Sequence, residues 1–365
     1  MRIIFAGGGT GGHLNPGLAI ARALVRLDPE IQPFFVGAER GVERDILPGT
    51  GFPHQLLPLH PLYRARPWEN WRTAVGLAQA WGTLGRIFGS ERPRLVVGTG
   101  GYASGAALAY AVAHRIPIAL QEQNSAPGMT TRLFARFASA VYVGVPDAGQ
   151  RLAVRDAGLI TDTGNPIDPP PSPRPDRAAA RRAWGFPPEG GTVLLVVGGS
   201  QGARPMNDAL DGWIARGLPA GLHVIWATGR ASYDRYAARA SARVAVRPYL
   251  SPIADAYAAS DLVVARAGAL TLAELCAWGL PSVLVPLPTA AADHQSANAR
   301  SLERAGGCVV LPQPELTADR LAAAVDALAA DRARLAALAA AALARARPRA
   351  AEEIAKRILT LVRRP

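Results

Sequence analysis

The apolar triplet Ile3-Ile4-Phe5 leads almost at once into Gly7-Gly8-Gly9-Thr10-Gly11-Gly12, where five of six residues are glycine. This opening restricts the fold more than any other stretch. Consecutive apolar residues suit a strand covered on both faces. Only glycine lets backbone pass so close to a ligand or to another element. Asn15 and Pro16 read as an N-cap and first helical residue, with Leu18, Ala21, Leu24 and Val25 following at helical spacing. A strand, a glycine turn and a helix N-terminus together offer free N–H groups and a helix dipole to an anion or an electron-rich ligand. The same residues also suit a tight turn that holds nothing.

The pattern recurs. Residues 32–37 read as a second strand and 56–59 as a third. Residues 94–105 form another strand, glycine turn and helix start, and 116–120 a further strand that ends in Gln121-Glu122-Gln123-Asn124. Residues 141–143 read as the last strand of this half. Strands alternating with helices indicate a parallel, doubly wound sheet, whose ligands bind at the carboxyl ends of the strands. Residues 164–176 are rich in proline, the composition of a stiff segment where domains meet. The scheme then restarts with Val193-Leu-Leu-Val-Val-Gly-Gly-Ser-Gln-Gly202. Leu262–Gly268 parallels Leu95–Gly101, and Leu280–Leu284 parallels Ile116–Leu120. The expected division is 1–163, a linker at 164–176, a second domain at 177–346, and a C-terminal helix within 347–365 that returns to the first domain. Residues 317–346 read as one helical run that Pro348 ends.

At 365 residues the chain suits two domains. No charged and apolar leader opens it, and no run of 18 uncharged apolar residues occurs, so the expectation is a soluble or peripheral protein. Cys276 and Cys308, the only cysteines, have apolar neighbours and read as small core residues in a reducing compartment. The net charge of +12 comes from arginine, with Lys356 the only lysine. It favours an anionic partner, but the arginines are scattered and no basic run interleaved with aromatics marks a nucleic-acid module. The segment 63–88 holds Trp68, Trp71 and Trp81 with Leu84, Ile87 and Phe88, beside Arg64, Arg66, Arg72 and Arg86. Aromatics favour a lipid headgroup region and arginines an anionic one. The competing reading packs this stripe against the sheet.

In Arg266-Ala-Gly-Ala-Leu-Thr-Leu-Ala-Glu274, a glycine at a helix start exposes N–H groups to phosphate and Thr271 adds a hydroxyl. At ~3.6 residues per turn, Glu274 lies about one and a half turns further on, placed to accept both hydroxyls of a ribose. Gly8-Gly-Thr-Gly-Gly-His13, Gly100-Gly-Tyr-Ala-Ser-Gly105, Glu122-Gln-Asn124, Gly164-Asn-Pro166, Gly198-Gly-Ser-Gln-Gly202, Gly268–Thr271 with Glu274, and Asp293-His-Gln295 with Asn298-Ala299 occur in that order. This ordered set, spanning essentially the whole chain, resembles the bacterial N-acetylglucosaminyltransferases of peptidoglycan-precursor synthesis.

The resemblance implies an α/β GT-B glycosyltransferase, with two tandem Rossmann-like, doubly wound domains facing across a cleft. It implies UDP-GlcNAc as donor, held mainly by the C-terminal domain, and lipid I as acceptor. Lipid II is then the product, formed at the cytoplasmic face of the plasma (inner) membrane by a peripheral enzyme; no cofactor is expected, and with no Asp-x-Asp pair near a strand end to bridge metal and diphosphate, no metal either. Carried over by position, Thr10, Gly11 and Gly12 approach the donor's sugar and phosphates. Asn124 contacts GlcNAc, Ser200 the diphosphate side, and Leu250 the uracil. Ala269, Leu270 and Thr271 hold phosphate, with Leu272 and Ala273 completing the run to Glu274 at the ribose. Gln295, with His294, takes sugar hydroxyls. His13 is the candidate general base, since imidazole titrates near neutrality. Glu122 is the alternative base or a group that orients the acceptor.

Three positions depart from the family pattern. Asp168 stands where an arginine is usual, Gln121 replaces a histidine, and Ala267 a serine. The first leaves a donor-side positive charge missing or supplied elsewhere. Another GT-B UDP-sugar transferase is an alternative within the same fold, and two other classes of function compete. Gly7, Gly9 and Gly12 also satisfy the dinucleotide fingerprint, with Glu39 as the ribose acid of a nicotinamide-dependent dehydrogenase. That reading gives no place to the second set of glycine turns or to Glu274. A basic nucleotide- or RNA-binding protein explains the charge and leaves His13 unexplained.

Overall fold

Along the first strand the side chains alternate: Ile3 and Phe5 join one apolar cluster, Ile4 and Ala6 another. Both faces of the strand are therefore dry, the condition that a continuous apolar run suits. The computed structural model describes residues 1–61, 66–199 and 201–363. Its contacts group Met1–Asp168 with Pro348–Pro365 as one unit and Pro169–Arg347 as the other.

The first unit holds a parallel sheet of seven strands, β1 (Arg2–Gly7), β2 (Gln32–Ala38), β3 (His54–Leu57), β4 (Leu95–Gly100), β5 (Ile118–Glu122), β6 (Ala140–Val143) and β7 (Ile160–Asp162). Their order is β3-β2-β1-β4-β5-β6-β7. The helix Gly11–Leu27 covers the face of Ile3 and Phe5, and the helices Asn70–Glu91 and Tyr102–Ala113 cover the face of Ile4. The helix Ala350–Val362 completes the first face through Ile354, Ala355 and Ile358, all fully buried.

The second unit repeats the plan with β8 (Thr192–Val197), β9 (Leu222–Ala227), β10 (Val244–Arg247), β11 (Leu262–Ala265), β12 (Ser282–Leu284) and β13 (Val309–Val310). These parallel strands are ordered β10-β9-β8-β11-β12-β13. Leu194 and Val196 pack with the helix Arg204–Arg216, whereas Val193, Leu195 and Val197 pack with the helix Ala269–Trp278.

Several local expectations shift. The first helix starts at Gly11, so Asn15 and Pro16 lie inside it; the Thr10 carbonyl accepts from His13 N–H (3.1 Å) and Leu14 N–H (3.2 Å) and opens the helix earlier. The run 317–346 is two helices, Ala318–Ala330 and Arg332–Ala344, because the Asp331 side chain accepts from Arg334 N–H and starts a new helix. The strand after residue 143 is the three-residue β7. The proline-rich segment is divided between the units. Asn165 is buried among side chains of the first unit, and Arg174 donates to the carbonyls of Ala277 (2.8 Å) and Trp278 (2.9 Å) in the second.

Candidate functional site

In the first unit β1 and β4 are neighbours, and their following helices leave to opposite faces of the sheet. That divergence opens a crevice at the carboxyl ends of the two strands. The glycine turn after β1 enters it. Gly8 N–H donates to the Gly100 carbonyl at 3.3 Å, and Gly100 and Gly101 hold φ of +91° and +76°. A Cβ on Gly100 would lie 2.9 Å from His13 Cδ2, and one on Gly101 2.0 Å from the Gly8 carbonyl oxygen. No side chain fits there, so these glycines are steric requirements.

His13 is the third residue of its helix and half-buried. Its Nδ1 lies 3.0 Å from Thr10 Oγ1, and its carbonyl accepts from Thr99 Oγ1 at 2.7 Å. The tautomer in which Nδ1–H donates to Thr10 carries the basic lone pair on Nε2. Gly11 and Gly12 form the first two helical positions beside it, with Gly12 exposed.

Glu43 is a participant that the sequence did not single out. Its side chain is fully buried, and Oε1 accepts from Gly9 N–H (2.9 Å) and Ala38 N–H (3.1 Å). Oε2 is buried without a hydrogen-bond partner among the described residues. The carboxyl group thus pins the glycine turn to the end of β2.

At the end of β5, Glu122 is 2% exposed. Its Oε1 accepts from Asn124 N–H (3.0 Å) and Asn124 Nδ2 (3.3 Å), and its Oε2 from Gly128 N–H (3.0 Å). Both oxygens therefore organise the loop that carries Asn124, which is half-buried. Gln121 belongs to a buried amide network. It donates to Asn165 Oδ1 (3.3 Å), Asn165 donates to the Gln123 carbonyl (3.0 Å), and Gln123 donates to the Thr99 carbonyl (2.8 Å). Asp168 is exposed, as is Glu39 after β2.

In the second unit β8 and β11 are the corresponding pair. Ser200 lies outside the described residues; after β8, Gly199 and Gly202 hold φ of +87° and +75°. Gly268 precedes the helix Ala269–Trp278, and no side chain caps it. Ala269, Leu270, Thr271 and Ala273 are half-buried, and Leu272 is buried. The first-turn N–H groups there are available to an anion. Glu274, also on this helix, accepts from the Tyr257 hydroxyl through Oε2 at 2.8 Å.

Arg266 is buried just before this turn. It donates to the carbonyls of Val285 (3.1 Å) and Pro286 (3.2 Å) and to Gln313 Oε1 (2.6 Å), and burial holds it below its usual pKa. Gln295 Oε1 accepts from Leu287 N–H at 3.0 Å, and His294 Nδ1 lies 2.7 Å from the Ala291 carbonyl. Ala292 and Asp293 before them both have φ near +50°, a strained conformation for non-glycine residues. Leu250 is buried in an apolar cluster beyond β10. A cavity of about 400 Å³ lies elsewhere in this unit, lined by Arg174, Tyr257, Trp278, Arg332 and Leu335 among others, and by none of the expected donor-binding residues. Among the described residues no group of His, Cys, Asp and Glu could hold a metal ion.

The helix Asn70–Glu91 of the first unit buries Gly76, Ala80, Leu84, Ile87 and Phe88. It exposes Trp71 (62%), Val75, Leu77 and Trp81, and Trp68 just before it is 72% exposed. Arg66, Arg72 and Arg86 are exposed nearby, whereas Tyr63 and Arg64 lie outside the described residues. The stripe divides into a packed edge and an open one. No described helix is long and apolar enough to cross a membrane.

The profile of the glycosyltransferase family 28 N-terminal domain matches residues 3–143, and that of the family 28 C-terminal domain residues 193–357. A protein of Moorella thermoacetica named UDP-N-acetylglucosamine--N-acetylmuramyl-(pentapeptide) pyrophosphoryl-undecaprenol N-acetylglucosamine transferase is 41% identical, over 99% of each chain. A protein of the same name from Chlorobaculum parvum is 39% identical, again over 99% of each. The crystal structure of Acinetobacter baumannii MurG superposes with a TM-score of 0.77 at 26% identity, covering 98% of this chain and 99% of the other.

Proposed function

The chain belongs to glycosyltransferase family 28, and from that premise we propose that it transfers GlcNAc from UDP-GlcNAc to lipid I. The acceptor group is the 4-hydroxyl of MurNAc in undecaprenyl-diphospho-MurNAc-pentapeptide, and the product is lipid II with an inverted, β-configured linkage. The observation that carries this reading is the end-to-end similarity to transferases of that name at about two residues in five.

In this mechanism His13 takes the proton from the attacking hydroxyl. Its contact with Thr10 supports the role, since it holds the ring, and the tautomer with hydrogen on Nδ1 carries its basic lone pair on Nε2. Glu122, with both oxygens occupied by loop N–H groups, acts by shaping the loop of Asn124. The uncapped N-terminus of the helix Ala269–Trp278 and the glycine turn after β8 stabilise the departing UDP through N–H groups. Buried Arg266, with only neutral acceptors among its described hydrogen bonds, adds fixed positive charge just before the helix start at Gly268. Glu274 accepts the ribose hydroxyls, Gln295 and His294 meet the sugar, and Leu250 borders the uracil. The lipid tail of the acceptor stays in the bilayer, so the protein works at the cytoplasmic face of the membrane. The exposed edge of the helix Asn70–Glu91 makes that contact.

The test is GlcNAc transfer to a lipid I analogue by wild type and His13→Ala. The variant should lose kcat by ~10²–10⁴ while binding UDP-GlcNAc normally. Absence of transfer by the wild type, or an α-linked product, overturns the reading. Near-normal kcat in the variant moves the base to Glu122.

A further inference from the structure

We infer that Tyr257 positions Glu274 for the donor ribose and so sets the selectivity for ribonucleotides. The inference rests on the reading of Glu274 as the ribose ligand. Tyr257 lies on the helix Ala254–Ala259 between β10 and β11, only 2% exposed. Its ring meets that of Trp278 at 5.8 Å between centroids and 46° between planes. Trp278 is four residues beyond Glu274 on the same helix, one turn along the face that Glu274 occupies. The Tyr257 ring is therefore fixed by packing, and its hydroxyl points along the helix to Glu274 Oε2 at 2.8 Å.

A glutamate at a helix surface has several rotamers, and a ligand that needs one of them must overcome the entropy of selecting it. A buried donor at a fixed distance selects the rotamer beforehand. The phenol suits the task. Burial and then the Glu274 charge push its pKa well above the usual value, so across the working pH range it stays protonated and can donate to the carboxylate. Oε2 is thus oriented by Tyr257, and a carboxylate held in that pose meets the vicinal hydroxyls of a ribose as an acceptor. A deoxyribose lacks one of those hydroxyls and draws less from a carboxylate held in this pose.

The ring packing alone would accept phenylalanine, so Tyr257→Phe separates positioning from structure. Titration calorimetry with UDP and with 2′-deoxy-UDP should show UDP affinity falling about three- to tenfold. The ratio of UDP to deoxy-UDP affinity should shrink, kcat at saturating donor should stay close to wild type, and the melting temperature should change little. In a Glu274→Ala background the same change should cost no further affinity. A Tyr257→Phe protein with unchanged UDP affinity and unchanged ratio overturns the inference while leaving the ribose reading intact. So does a loss that is fully additive to that of Glu274→Ala. UDP affinity unaltered in Glu274→Ala alone overturns both.

Discussion

Replacing Glu43 tests whether the glycine turn beside His13 is held by one buried carboxyl group. Glu43→Ala leaves the N–H groups of Ala38 and Gly9 without their acceptor. An unpaired buried donor costs about 1–3 kcal/mol, so the pair bounds the loss at about 2–6 kcal/mol. The Ala38 bond is buried and the Gly9 bond only partly so, which lets water recover part of the second. An overall loss near 3 kcal/mol follows, and in a unit of this size it lowers the melting temperature by roughly 6–12 °C. The turn from Gly8 to Thr10 then relaxes, His13 loses its fixed relation to Gly100 and Gly101, and kcat falls with UDP affinity preserved. Glu43→Gln keeps an oxygen that can accept both bonds and should retain most of the stability and turnover. Scanning calorimetry with transfer kinetics on both variants decides it. Wild-type melting and kcat in Glu43→Ala, or equal damage from glutamine and alanine, would refute the argument from acceptor geometry.

Binding to anionic vesicles should be salt-sensitive and should weaken severalfold when Trp68 and Trp71 become serine, because each arginine nearby contributes only about 1 kcal/mol at such a surface. Equal sedimentation of variant and parent with vesicles places the contact on another surface. His223 is held below the ordinary histidine range by burial, then by Arg243 and Arg181, and its Nδ1 has no hydrogen-bond partner among the described residues. The folded protein therefore binds fewer protons there than the unfolded chain. The contribution is complete above a pH of about 6.5 and declines below it, towards the lower folded value. Melting temperatures between roughly pH 5 and 8 should fall on the acid side, and His223→Phe, which keeps a ring packed against Phe186, should flatten that slope; an unchanged slope excludes this histidine. Turnover should persist in EDTA, since N–H groups and Arg266 stabilise the leaving diphosphate; loss of activity restored by Mg²⁺ or Mn²⁺ contradicts this.

The central strands of both sheets were legible because burial on two faces writes itself as an uninterrupted apolar run, as at Ile3–Phe5 and Val193–Val197. The glycine turns were legible because positive φ leaves little choice of residue. The start of the first helix is hidden in the sequence, since Pro16 is a strong local signal and the carbonyl of Thr10 is a silent one. The break at Asp331 was hidden in an alanine-rich sequence that favours helix on either side. Glu43 and Tyr257 escaped for a different reason. Glu43 sits in a charged stretch with Arg40, Arg44 and Asp45 and no motif marks it, so its role exists only once β2 and the glycine turn lie side by side. Tyr257 likewise acquires meaning from a residue 17 positions away.

The chain enters the second unit after Asp168 and leaves it again at Pro348. During synthesis, then, the part made first is finished last. Residues 1–168 emerge from the ribosome with the face of Ile3, Phe5, Leu18 and Leu24 still lacking Ile354, Ala355 and Ile358. At about 5–20 residues per second the missing helix follows roughly 10–40 s later. The second unit, being one continuous stretch, can close in that interval. The same threading governs recombination between relatives. A crossover within the proline-rich segment splits the first unit from its own last helix, so a working chimaera must take residues 348–365 from the parent that supplied 1–168. The C-terminal family profile, ending at residue 357, runs across that seam.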